Sequence, residues 1–219
     1  AALFADLGDA DFAGQCREAA AAIKNVFSAT FLNPATGWVA GWRSRDGELH
    51  DSGFIFVNAP TIAYGLLDEK DARRALVNLE AAREEVGANE GYFGLPANLY
   101  PIPAGDHMMP IILGSPQPTF ENYTDGGFNG NFAGFYLRAL SMYGLKGAAT
   151  HLADELEQGF AAGYHNGGIG EGTEFRTWDG LQTGYEGTLI GNFVAVYSLA
   201  IEHGWIRPTD PEWWGAQGK

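Results

Sequence analysis

Cysteine is nearly absent from this chain, and its single copy, Cys16, excludes an internal disulfide and any zinc site built from several cysteines. Cationic side chains are also few. Thirteen Lys and Arg stand against 27 Asp and Glu, for a net charge of −14. Such a chain repels phosphate backbones and anionic lipid headgroups, which argues against nucleic acid and membrane as partners. Neither a signal-peptide pattern nor an apolar run long enough to span a bilayer is present, so the expectation is a soluble protein of unspecified compartment. Histidines number five, and His107 and His165 have no partner at metal-ligand spacing, so no metal or other cofactor is assigned. The loop acids leave a bound calcium ion open, without a dense ligand run to hold it.

What is present suits one folded domain spanning residues 1–219, with 46% hydrophobic residues. Apolar periodicity divides the helical segments into two kinds. One kind is amphipathic and charged: Asp11 to Phe31, Asp68 to Val86, and Lys146 to about Ala162. Acids near each start suit the helix dipole. The other kind is apolar nearly all round: Asn58 to Leu67, Asn129 to Tyr143, and Gly187 to His203. Helices without a wet face have to be enclosed by other helices. Asn131-Phe132 with Tyr136 and Asn192-Phe193 with Tyr197 share a pattern, and Ala63-Tyr64-Gly65-Leu66 is a weaker copy. The pairs thus form a supersecondary repeat. The first residues, Ala1 to Leu7, read as helix with no capping residue before them, as expected of a chain continuing from something upstream.

Short turns lead from apolar to polar helices, near Leu67-Asp68 and Gly144-Leu145. Long ones, roughly Leu32 to Val57, Gly87 to Phe128 and Gly163 to Glu186, lead from polar to apolar helices. Because paired helices run antiparallel, all three long loops emerge on one face, and loops of this length are usually functional. The predicted fold is all-α: an (α/α) toroid of helix hairpins, incomplete, with the long loops and a short β-hairpin turning at Asp46-Gly47 on one face.

The loops gather aromatic rings and carboxylates. The first holds Trp38, Trp42, His50, Asp51 and Phe54, the second Tyr123 and Asp125, and the third Glu174, Trp178, Tyr185 and Glu186. Rings pack on the apolar faces of sugars, and carboxylates accept hydroxyl hydrogen bonds or act as acid and base. Carbohydrate is therefore the expected partner. Binding is assigned to Trp38, Trp42, His50, Phe54, Tyr123, Asp125, Trp178 and Tyr185.

These segments resemble the six-hairpin glycosidases, the family of glucoamylase, trehalase and processing α-glucosidase. The likeness runs through Leu3-Phe4-Ala5-Asp6-Leu7-Gly8-Asp9 and Phe31-Leu32-Asn33-Pro34-Ala35-Thr36-Gly37-Trp38. It continues through Asp46-Gly47 and on to Ala63-Tyr64-Gly65-Leu66. Tyr123-Thr124-Asp125-Gly126-Gly127 is similar to the family's Tyr-x-Asn-Gly-Gly, with Asp125 in place of the asparagine. Glu174-Phe175-Arg176-Thr177-Trp178-Asp179-Gly180, followed by Gly184-Tyr185-Glu186-Gly187, resembles the stretch that carries a catalytic Glu in those enzymes. The resemblance implies an inverting hydrolase of an oligosaccharide or small glycoside, with catalysis assigned to Glu174 as the base that activates water, Glu186 as runner-up, and Asp51 as the best carboxyl of the first long loop.

A ring of six hairpins needs about 300 residues or more, and the general acid in such enzymes usually lies far upstream of the base. The chain therefore reads as the C-terminal half of the ring. The alternative is a carbohydrate-binding half-toroid without chemistry, or one subunit of a split glycosidase. Either would expose apolar inner flanks that a second polypeptide or further copy of the chain would cover.

Overall fold

The computed structural model describes residues 1–107, 119–165, 167–168, 171–186 and 190–206. A short helix α1 (Ala2–Asp6) leads into α2 (Ala10–Phe31), whose start is capped by Asp9 accepting the Phe12 N–H at 3.0 Å. Asp68 caps α4 (Glu69–Val86) in the same way at 2.7 Å, and Gly87, in the left-handed conformation at φ 77°, closes it. Between them lies α3 (Ile55–Ala63). Then follow α5 (Gly130–Met142), α6 (Lys146–Ala161) and α7 (Ile190–Glu202).

Among the described residues, helix boundaries depart from the periodicity at one place; the expected start of the last helix, Gly187, lies outside them. α3 starts three residues before Asn58 and ends at Ala63, with Gly65 at φ 68° turning the chain away. Asn58 sits inside α3 and is fully buried. It accepts the Val39 N–H at 2.8 Å and donates to the Val39 and Phe54 carbonyls at 2.9 Å, which ties the first loop to the helix. α5 packs between α3 and α7. At Gly134 the α5 and α7 backbones approach so closely that a Cβ would stand 2.5 Å from the Val194 carbonyl carbon. Tyr136, Leu137, Ala139 and Leu140 of α5 meet Leu76 and Leu79 of α4 and Leu152 and Leu156 of α6 in one core. α7 is not enclosed as an all-apolar helix should be: Phe193 is 66% and Val196 50% exposed. No described helix is long and apolar enough to cross a membrane.

The long loops hold strands. β1 (Trp42–Arg43) and β2 (Leu49–His50) form the expected hairpin, turning through Gly47 at φ 95°. A second antiparallel sheet was not foreseen. It is built from β3 (Leu95–Pro96), β4 (Phe128–Asn129), β5 (Gly167–Gly168), β6 (Glu171–Arg176) and β7 (Gln182–Glu186). Its order is β3-β4-β6-β5, with β7 also pairing β6. The chain is therefore mixed α/β, and the all-α toroid is overturned. The reason is physical. β6 reads Glu-Gly-Thr-Glu-Phe-Arg, with Phe175 its one strong apolar residue, so neither a two-residue apolar alternation nor a continuous apolar run marks it as a strand. β3 and β4 are two residues each, too short for any period.

Candidate functional site

The three long loops meet edge to edge. Leu99 donates its N–H to the Ser52 carbonyl at 3.0 Å, and Phe54 bridges Asn98. Ala97 donates to the Gly127 carbonyl at 2.9 Å, and Phe128 pairs with Arg176. Residues near 51, 125 and 174 thus belong to one continuous platform, joined by backbone hydrogen bonds.

The candidate carboxylates sit in different settings on it. Asp51 accepts from the Asn33 amide and the Thr36 hydroxyl, both at 2.9 Å, through one oxygen, and from the Gly53 N–H at 3.0 Å through the other. These bonds hold the first loop's exit from α2 against its entry to α3. Asp125 is buried, at 2% exposure. It accepts from the Asn98 amide at 2.8 Å and the Ile102 N–H at 3.2 Å, with His107 Nε2 3.5 Å away. Asn98, itself fully buried, accepts the Gly126 N–H at 2.9 Å. This clasp forms the turn that aims Phe128 and Asn129 into the sheet. Glu174 is half-buried on β6, and its backbone carbonyl accepts from the Asn129 side chain at 2.5 Å. Across from it Gly184, at φ 83°, leaves open the place where a Cβ would stand 2.8 Å from Glu174 Oε2 and 3.0 Å from the Tyr123 ring. Glu186 pairs with Thr173 on the neighbouring strand; its side chain and that of Tyr185 lie outside the described residues.

The rings form a path. Trp42 stacks on His50 at 4.8 Å and 9°. Trp42 then meets Phe54 at 5.8 Å, Phe54 meets Phe56 at 5.4 Å, and Phe56 meets Phe132 at 5.8 Å. Phe132 continues to Phe175 at 6.2 Å, and Phe175 to Tyr123 at 4.9 Å. The path runs from the β1–β2 hairpin, across the first turns of α3 and α5, to the strand that carries Glu174. Phe54 is its buried support, whereas Phe56 is 41% exposed. Trp38, assigned to binding from the sequence, is instead buried in the hydrophobic core. Phe56 and Phe132 carry no binding assignment from the sequence, Phe132 being read only as part of the Asn131-Phe132 repeat. Their shared signal is a ring in the first turn of an apolar helix, repeated at Phe193.

His50 is fixed from two sides, by Trp42 and by an Nδ1–H bond of 2.9 Å to Asp106. That dyad joins residues 56 positions apart and had no local signature. Trp178 donates its indole N–H to the Gly126 carbonyl at 2.7 Å, and its ring meets Phe120 and Phe128. Arg176, beside Glu174 in sequence, lies over Phe93 and Tyr164 at 5.5 and 5.2 Å, and burial pulls its pKa below the usual arginine value. Among the described residues no group of three or more His, Cys, Asp or Glu is placed to hold a metal ion.

No family model matches the chain, and no curated protein and no solved structure matches it either.

Proposed function

We propose that the loop face binds a saccharide and hydrolyses a glycosidic bond, with Glu174 as the carboxylate that activates water. One observation carries the reading: a path of aromatic rings, partly open to solvent, ends at a half-buried carboxylate opposite a glycine. Rings offer flat apolar surface to the C–H faces of a sugar, and the missing Cβ at Gly184 leaves room for the Glu174 side chain on that face. The motif resemblance around Glu174 supports the same assignment. In the step it implies, Glu174 takes a proton from water while the water oxygen bonds to the anomeric carbon. The glycosidic C–O bond breaks and the leaving oxygen takes a proton from a general acid. Asp51 and Asp125 are poorly suited to be that acid, because both are committed to hydrogen bonds that shape the loops.

That same commitment favours a second reading, a saccharide-binding face without turnover. A panel of aryl glycosides and unmodified oligosaccharides separates the two. Hydrolysis by the wild-type chain that falls about 10²–10⁴-fold in Glu174→Gln, with KM nearly unchanged, supports a base at this position. Binding without release of product selects the second reading, and hydrolysis that survives Glu174→Gln removes Glu174 from the chemistry.

A further inference from the structure

A small cavity of ≈80 Å³ lies beside the sheet, apart from the ring path, walled by Tyr92, Phe93, Phe128 and Trp178 with Glu90 among its lining residues. Its walls meet nearly at right angles: Phe93 and Phe128 stand 6.2 Å apart at 80°, and Phe128 and Trp178 5.8 Å apart at 66°. Phe128 is buried, at 7% exposure, and Glu90 is exposed, so the rings form the floor and the carboxylate stands at the mouth.

The parts are held before any ligand arrives. The Trp178 indole is anchored on the Gly126 carbonyl. The segment carrying Glu90 is fixed on one side by Arg83, which donates to the Ala88 and Asn89 carbonyls, each at 3.1 Å. It is fixed on the other by Glu155, which accepts the Gly91 N–H at 2.5 Å. Pre-organisation of this kind lowers the entropic cost of binding.

Size and charge decide the ligand class. The volume of ≈80 Å³ is far below the ~300 Å³ and above of pockets that take drug-sized ligands, so the cavity suits a compact group. Four aromatic side chains and one carboxylate, with no cation among the described lining residues, attract a compact positive charge through ring quadrupoles and through Glu90. Arg176 already lies against Phe93 at 5.5 Å, so the attraction rests chiefly on Tyr92, Phe128 and Trp178. We infer that this cavity is a binding site for a methylated ammonium head, whose remaining substituent leaves past Glu90. The inference does not rest on the saccharide reading.

The test is a titration of the isotope-labelled chain with choline, followed at the Gly87, Ala88 and Glu90 amides and the Trp178 indole N–H. The expected result is saturable shifts at these positions. The neutral isostere 3,3-dimethylbutan-1-ol should bind at least about fivefold more weakly, the loss of ~1 kcal/mol of cation attraction. Glu90→Gln, a change at an exposed residue, should weaken choline about fivefold and leave the alcohol unchanged. An Nε-trimethyl-lysine amide titrated in parallel distinguishes a free quaternary amine from a modified lysine as the source, the tighter of the two naming it. Equal binding of choline and alcohol, an unaltered choline affinity in Glu90→Gln, or no saturation up to about 100 mM would overturn the inference.

Discussion

Glu155 is a carboxyl group on α6, 5% exposed, that accepts the Gly91 N–H and faces His151 at 3.5 Å. Burial pushes its pKa up, and the Gly91 N–H pulls it back only in part. A carboxyl with a raised folded pKa binds more protons folded than unfolded, so its ionisation lowers stability as pH rises through that window. Glu155→Gln keeps an acceptor for Gly91 and removes the ionisation. The variant should therefore gain stability relative to wild type as pH rises from about 4 to 7, read from urea midpoints across that range; a constant difference would refute this. Asn98 makes the opposite case. Asn98→Ala leaves Asp125 buried with a lost donor and orphans the Gly126 N–H, at a cost of about 3 kcal/mol by the same measurement. Nothing in the sequence marked Asn98, because asparagine in a loop reads first as a turn former. Asp125 was legible as an unusual residue before a Gly-Gly pair. That it faces Asn98 and His107 rather than solvent depends on packing.

At the scale of elements, the long amphipathic helices were legible because cap and stripe agree: Asp9 for α2, Asp68 and Gly87 for α4. The central sheet was not, since its strands are short and glycine-rich and take their order from residues distant in the chain. The first hairpin was the exception, because Asp46-Gly47 states its turn locally. Gly134 sits where the helix period predicts α5 but cannot predict a neighbour. A methyl group there must displace α7 backbone rather than a side chain, so Gly134→Ala should cost about 1–3 kcal/mol despite alanine's better helix propensity. Calorimetric melting checks this, and an unchanged or higher Tm would contradict the close α5–α7 approach. Disturbance of β6 through α7 would also be expected to reach Glu174 only weakly, since Asn129 anchors that strand from the α5 side.

Across the whole molecule, burial is uneven. Among the described residues of α2 only Ala13 is buried, with Ile23 at 54% and Val26 at 59% exposure, whereas α5 is buried from Tyr136 to Leu140. Hydrogen exchange should follow this contrast, with amides of residues 17–26 exchanging at least about 10³-fold faster than those of 136–140. Equal protection would show α2 to be covered in solution. The same unevenness explains why helical period misread the architecture. It reports which stripe of a helix is apolar, not what covers it, and the covering layer includes a sheet.

The central claim is that the face joining residues 42–56, 123–126 and 172–176 receives a saccharide. Backbone chemical-shift mapping with an oligosaccharide tests it most directly, using Glu174→Gln so that the ligand survives. The account predicts saturable shifts concentrated at Trp42, Phe56, Tyr123 and the β6 amides. Shifts centred instead on the cleft of ≈370 Å³ beside Lys146, Thr150 and His203, or no saturable shift anywhere, would contradict it.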